Sequence, residues 1–183
     1  MGWQWGGGWL AELGFSDFAG STLVHSTGGA AALAGIMLLG SRHGRFDSKG
    51  EAKAMKPFAA SSIPLVTIGV FILWLGWFGF NGGSQLAIGT FDDAVAVSGI
   101  FINTNLAACG GVMAAATITR LMYGKTDVVQ MLNGAIGGLV AVTAEPLAPT
   151  PLAAIFIGAM GGLIVVFGTK LLFSFKLDDV VGA

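Results

Sequence analysis

The chain has 183 residues, of which 54% are hydrophobic and only 10% are charged, and its net charge is -1. Soluble domains carry about 25% charged residues, and a soluble fold of this size could not bury so much apolar surface. The nearly neutral charge argues against nucleic-acid binding, and the single cysteine, Cys109, excludes an internal disulfide. The composition therefore predicts a membrane protein.

Five apolar segments, each near the ~20 residues that cross the hydrocarbon core, predict an all-α, polytopic bundle of transmembrane helices. The segments cover about residues 18–39, 58–80, 94–123, 128–144 and 151–175. The third is long enough to tilt or to protrude from the bilayer. The fourth is short enough for a re-entrant or protein-covered helix. No stretch has the composition of a separate soluble domain, so one domain is predicted over residues 1–183.

The nine basic residues predict the orientation. Five lie between residues 39 and 57, and the others follow the third and fifth segments as Arg120, Lys125, Lys170 and Lys176. If the segments alternate in direction, all nine lie on one face, which the positive-inside rule makes cytoplasmic. The prediction is an integral protein of the cell (inner) membrane, with the N-terminus outside and the C-terminus in the cytoplasm.

His25 is an ionisable residue inside the first apolar segment. An imidazole at this depth must face protein or water, because an unpartnered polar group in hydrocarbon is costly. Two roles are open: a structural bond to a neighbouring helix, or a function within the membrane. Asp17, eight residues earlier, lies at the outer end of the same segment, where aspartate is a favoured helix cap.

Aromatic residues are concentrated at the predicted outer face. They form either an anchoring belt at the membrane interface or an aromatic mouth for a small cation. The two clusters are Trp3, Trp5 and Trp9 near the N-terminus, and Trp74, Trp77, Phe78 and Phe80 at the end of the second segment. The sequence contains no nucleophile–base pair, phosphate loop or metal-ligand spacing, so neither an enzyme nor a cofactor is predicted.

Several motifs resemble those of the Amt/Mep/Rh ammonium transporters. In residues 17–42 the acid Asp17, the histidine His25 and the closing Gly-x-Arg stand at the spacing of the family signature. Shorter stretches that also resemble the family lie at residues 5–8, 76–84, 103–104 and 177–183. The resemblance covers nearly the whole chain.

The resemblance implies a role for five residues of an ammonium path. His25 would be one of two paired pore histidines, and Phe80 one of two stacked phenylalanines that gate the outer end. Trp5 and Ser84 would recruit ammonium at the outer face, by cation–π contact and hydrogen bonding. Asp17 would be a structural acid beneath that site. Ammonium or ammonia would be the ligand, with no cofactor.

The resemblance also implies a place for this chain in a larger protein. Family members have about eleven spans in two inverted halves, and the chain matches about spans five to nine. Asp179 would correspond to Asp17 in the second half, and a second pore histidine would follow Ala183. A homotrimer in the lipid bilayer and a PII-type regulator on the cytosolic face are further implications. An ammonium sensor subunit without transport, or a structural membrane remnant, is the alternative.

Overall fold

The computed structural model describes residues 2–46 and 59–179. The regular elements within those ranges are all helices, which confirms the predicted all-α fold. In chain order they are α1 (Trp9–Glu12), a π-helical segment (Ser21–Ser26), α2 (Thr27–Leu39), α3 (Ile63–Gly83), α4 (Phe91–Tyr123), α5 (Val128–Val142) and α6 (Pro151–Ser174).

Four stretches of the described chain are long and apolar enough to cross a membrane: Ser21–Leu39, Ile63–Gly83, Phe91–Tyr123 and Pro151–Ser174. The fifth apolar helix, α5, has 15 residues and is shorter. Large apolar side chains cover the outward faces of the long helices; Leu38, for example, is 89% exposed. Such faces are stable against lipid tails rather than water.

Three helical stretches begin at other residues than the sequence predicted, and a capping side chain marks two of these starts. α3 begins after its cap Ser62 rather than at residue 58, which lies outside the described residues. α4 begins after its cap Thr90 rather than at residue 94. The first apolar segment becomes helical only at Ser21, and its first six residues are π-helical.

Glycines allow α4, α5 and α6 to pack backbone against backbone. A Cβ atom at Gly158 would overlap the carbonyl of Ala107, and one at Gly138 would overlap the same carbonyl from α5. Gly111 and Gly134 approach each other just as closely between α4 and α5. Small residues at such crossings are typical of membrane helices, because close approach increases the van der Waals contact that holds them together.

α3 packs against this three-helix core through its C-terminal half. Trp77 lies against Ala108 and Leu139. The buried Asn81 donates a hydrogen bond from Nδ2 to Oγ1 of Thr104, at 3.0 Å. One aromatic and one amide side chain therefore fix the rotation and depth of α3 on α4 and α5.

The chain just before α2 is tied to the end of α5. The backbone N–H of Phe18 donates to the carbonyl of Ala144 at 2.7 Å. The hydroxyl of Ser21 donates to the carbonyl of Val140 at 2.9 Å. The start of the π-helical segment is thereby fixed to the core, whereas α2 itself buries only Ile36.

An ion pair joins the segments that follow α2 and α6. The guanidinium of Arg42 donates to both carboxylate oxygens of Asp178, at 2.7 and 2.9 Å. Arg45 lies 3.3 Å from the same carboxylate and 4.5 Å above the ring of Phe173. The Arg42 hydrogen bonds hold the pKa of Asp178 below its ordinary value, so this carboxylate stays charged at lower pH than a free aspartate.

Candidate functional site

The ring of His25 lies in an aromatic cluster between the π-helical segment and α3. It stacks on Trp77, with ring centroids 5.0 Å apart and planes 16° apart. Phe80 presents an edge to it at 5.4 Å. The rings of Trp77 and Phe80 are themselves 5.9 Å apart. The structure therefore brings together two of the residues predicted from the sequence, His25 and Phe80, and adds Trp77.

These rings line an open cavity of about 220 Å³. Its other lining residues, Ile72, Leu73 and Gly76, are apolar, so the imidazole is its main polar group. Its apolar walls offer a small ion no polar groups to replace lost hydration, which disfavours a charged species. A neutral imidazole has one hydrogen-bond donor nitrogen and one acceptor nitrogen. The cavity thus suits a small neutral molecule beside a side chain that can donate or accept a hydrogen bond.

Trp77 is held by a chain of hydrogen bonds that the sequence did not reveal. Its indole Nε1 donates to Oγ1 of Thr143 at 2.8 Å, and that hydroxyl donates to the carbonyl of Leu139 at 2.6 Å. Trp77 stood out in the sequence only as one member of an aromatic cluster. Thr143 belongs to no recognisable motif in the sequence. Its role depends on a contact with Trp77, which lies 66 residues away along the chain.

Asp17 is 1% exposed and its carboxylate accepts four backbone hydrogen bonds. Oδ1 accepts from the N–H groups of Gly20 and Ser21, at 3.1 and 2.9 Å. Oδ2 accepts from those of Thr22 and Leu23, at 2.9 and 2.8 Å. The carboxylate thereby caps the start of the π-helical segment and fixes the backbone that carries the histidine.

Trp5 and Ser84 are each joined to the site by a hydrogen bond to a backbone carbonyl. The indole Nε1 of Trp5 donates to the carbonyl of Asp17 at 2.7 Å, and the ring stays 44% exposed. The hydroxyl of Ser84, at the end of α3, donates to the carbonyl of Phe80 at 2.7 Å. The described contacts link each of the two residues to the site but do not join them to each other.

Asp179 follows α6 and is half-buried. Its neighbour Asp178 is the buried acid, at 3% exposure, and pairs with Arg42. The sequence did not single out Asp178, whose only signal would have been the distant arginine, and the correspondence of Asp179 to Asp17 stays a prediction. Within the described residues, no group of three or more His, Cys, Asp or Glu side chains could hold a metal ion.

Four membrane-length apolar stretches of the described chain, two of which line a histidine-containing aromatic cavity, define a polytopic integral membrane protein. Residues 1–183 match the family model described as the Ammonium Transporter Family, and the chain belongs to this family. The sequence resemblance is thus confirmed.

Similar proteins support the same family. The Archaeoglobus fulgidus ammonium transporter Amt2 is 45% identical over 191 residues, which cover 99% of this chain and 39% of Amt2. An Arabidopsis thaliana protein, ammonium transporter 1 member 1, is 38% identical over 95% of this chain and 36% of its own length. The chain therefore spans about 40% of the length of its curated relatives. These relatives are named as transporters rather than enzymes.

Solved structures have the same fold. A protein titled Sensor Amt Protein has a TM-score of 0.88 and 35% sequence identity, covering 96% of this chain and 42% of that protein. Candida albicans Mep2 has a TM-score of 0.84 and 34% identity, covering 97% of this chain and 37% of its own.

Proposed function

We propose that this chain forms part of the ammonium path of a membrane transporter, with the cavity at His25 as a section of its pore. The observation that carries the proposal is the packing of His25 against Trp77 and Phe80 around an apolar cavity. Family membership supplies the substrate class.

Ammonium would first bind at the outer end, between Trp5 and Ser84. The hydroxyl hydrogen of Ser84 is already donated to Phe80, so its oxygen lone pairs can accept from an ammonium N–H. The exposed indole face of Trp5 would add a cation–π contact. Together they favour a small cation that has donors and no acceptor.

Beyond Phe80, which we propose as a gate, the apolar cavity disfavours the charged ion. Ammonium would therefore pass a proton on and enter as neutral ammonia. Transfer of that proton to the imidazole of His25 gives ammonia and an imidazolium, so charge and atoms balance. Phe80 remains 39% exposed, which leaves its ring room to move.

A chimaera tests the proposal. Residues 1–183 replace the matched region of Archaeoglobus fulgidus Amt2, because the chain aligns with about 39% of that protein. We expect saturable uptake of labelled methylammonium into proteoliposomes. The substitution His25→Ala should lower the uptake rate about tenfold or more, since a positioned proton carrier typically contributes at least that much.

The matched control is His43→Ala. His43 is the only other histidine and lies in the exposed turn after α2. This variant should transport at the rate of the parent chimaera. Equal rates for His25→Ala and the parent would contradict the pore role, and a folded chimaera without uptake would contradict the transport proposal.

A sensor role without transport is the second candidate, since one similar structure is titled Sensor Amt Protein. A sensor would bind ammonium without flux. In the folded chimaera, saturable ammonium binding together with absent uptake would favour this role. Uptake above that of protein-free liposomes would exclude it.

The orientation, assembly and regulation are also proposals. We propose that the end bearing Arg42, Arg120 and Lys170 faces the cytoplasm, because basic residues are retained there. A homotrimer and a PII-type regulator at that end follow the family resemblance. In intact cells that express a Cys109→Ala background, an impermeant maleimide should label Glu12→Cys and not His43→Cys. Labelling of His43→Cys without labelling of Glu12→Cys would contradict the orientation. A measured mass equal to that of one chain would contradict the homotrimer.

A further inference from the structure

Thr143, the residue that follows α5, is bonded to both sides of the cavity at His25, and it is fully buried. On the α3 side, its Oγ1 accepts the indole N–H of Trp77 at 2.8 Å and donates to the carbonyl of Leu139 at 2.6 Å. On the other side, its backbone carbonyl accepts the N–H of Ala19 at 3.1 Å, in the segment that leads to His25. One residue therefore connects the indole ring to the chain that carries the imidazole.

The hydroxyl of Thr143 is arranged as an acceptor for the indole. Its hydrogen is donated to Leu139, so its oxygen lone pairs remain for a donor. The indole has one N–H donor and no acceptor. Because Trp77 packs among apolar side chains, an indole N–H without a partner would cost free energy there. The favoured orientation of the ring is therefore the one in which Nε1 reaches Thr143.

The Trp77 ring closes one side of the cavity. It stacks on His25 with ring centroids 5.0 Å apart, and both rings line the cavity. Trp77 alone among the α3 residues that line it has a side chain that can form a hydrogen bond; the others are Ile72, Leu73, Gly76 and Phe80. The bond to Thr143 is thus the one directional contact that selects a single orientation for this wall.

We infer that Thr143 is a positioning residue that holds the Trp77 ring as a fixed wall of the cavity and thereby limits the size of the solute that passes. Thr143 acts through the ring, since it is itself fully buried. The inference depends on the proposed function for its purpose, because only a pore has a solute to select. The bond between the two side chains can be measured without transport.

The substitution Thr143→Val tests the size limit, since valine has nearly the same shape but offers no acceptor. In the chimaera with Amt2, the measured quantity is the ratio of methylammonium influx to ammonium influx, each with isotope-labelled substrate. We expect this ratio to rise about threefold or more, because a released ring leaves room for the methyl group and a hydrogen bond of ordinary net strength corresponds to a factor of this size. Thr143→Ser keeps the hydroxyl and should restore the parent ratio.

Thr169→Val is the matched control for the loss of a threonine hydroxyl. The hydroxyl of Thr169, on α6, donates to the carbonyl of Val165 at 2.8 Å, as that of Thr143 donates to Leu139. Thr169 does not line the cavity. Thr169→Val should therefore leave the ratio of the two influxes at the parent value.

A double-mutant cycle tests whether Thr143 acts through the indole. In a Trp77→Phe background the donor is already absent, so Thr143→Val should not change the influx ratio further. A rise as large as that in the parent background would show that Thr143 acts by another route, and this would overturn the inference.

The bond is measured in the full chain by NMR of nitrogen-labelled indole groups. The chain has five tryptophans, and the resonance that is missing from Trp77→Phe identifies Trp77. We expect its indole proton to exchange slowly with deuterated water in the parent and in Thr143→Ser. In Thr143→Val, we expect the same proton to move upfield, because it has lost its acceptor.

An unchanged or lower influx ratio for Thr143→Val, in a chimaera that transports, would overturn the inference and leave the proposed function standing. So would an indole proton that does not respond to Thr143→Val. A folded chimaera without uptake would contradict the proposed function, and the indole spectrum would still decide whether Thr143 holds the ring. If Thr143→Val does not fold, the parent decides: slow exchange of the Trp77 indole proton supports the inference, and exchange as fast as that of the exposed Trp3 overturns it.

Discussion

Replacing Gly158 with leucine is expected to prevent α6 from packing on α4. A Cβ at this position would overlap the backbone of Ala107. Backbone atoms cannot move aside as a side chain can, so the helices must separate and lose their contacts along the crossing. We expect a loss of about 4 kcal/mol or more in the free energy of unfolding, which is exceptional for one substitution. Denaturant titration of the protein in detergent, followed by helical circular dichroism, measures it.

Gly168 supplies the matched control on the same helix. No atom lies within 4 Å of a Cβ at this position, so leucine there meets open space. Gly168→Leu should change the free energy of unfolding by about 0.5 kcal/mol or less, as surface substitutions usually do. If both variants unfold at the same denaturant concentration, close backbone packing does not hold the three-helix core together.

This pair also illustrates the limit of the sequence. Thirty glycines within apolar segments predict that helices approach closely somewhere. They do not predict which glycines lie at a crossing, because Gly158 and Gly168 both stand in the same predicted segment. The difference depends on how α6 crosses α4, which no local pattern encodes.

The helices and the central residue of the site were more accessible to sequence reasoning. A long apolar run is a local feature of the sequence. Its length can be compared directly with the ~20 residues that a helix needs to cross the bilayer. His25 stood out because an ionisable group inside such a run is costly and requires a reason. The family resemblance then added Phe80. The π-helical register at Ser21–Ser26 was not predicted, because it depends on how Asp17 and Val140 hold the chain.

The polar contacts around the site were the least predictable part. The bond from Trp77 to Thr143 and the pairing of Arg42 with Asp178 join residues 66 and 136 positions apart. Threonine and aspartate are common residues, so the sequence does not distinguish Thr143 or Asp178 from others of their type until the partner is known. Burial also distinguishes Asp178 from Asp179, which are adjacent in the sequence but differ in exposure.

Removal of the Asp17 carboxylate should destabilise the π-helical segment that carries His25. In Asp17→Ala, four backbone N–H groups lose their acceptor in a site that is almost fully buried. Hydrogen bonds to a charged group contribute about 1.5–3 kcal/mol each and are not additive. We therefore expect a loss of about 3–5 kcal/mol in the free energy of unfolding, measured by the same denaturant titration.

Asp127→Ala is the control for an ordinary helix cap. Asp127 caps α5, and within the described part of the chain its carboxylate accepts from two N–H groups, those of Val129 and Gln130. Removal of the Asp127 carboxylate should lower the free energy of unfolding by about 1 kcal/mol, as is usual for a cap. If Asp17→Ala lowers the free energy of unfolding by no more than Asp127→Ala does, the two additional hydrogen bonds of the Asp17 carboxylate add no stability. The aspartate then acts as an ordinary helix cap.

The variant Asp17→Asn separates the acceptor count from side-chain shape. Asparagine has nearly the same size, but one carboxylate oxygen becomes an NH₂ group that can only donate. That group would face the N–H groups of Thr22 and Leu23, or those of Gly20 and Ser21, so two of the four bonds are lost whichever way the amide turns. We expect Asn to be nearly as destabilising as Ala, because an isosteric donor repels the donors that it faces. Recovery of parent stability in Asp17→Asn would show that shape, rather than the two acceptor oxygens, holds the backbone beneath His25.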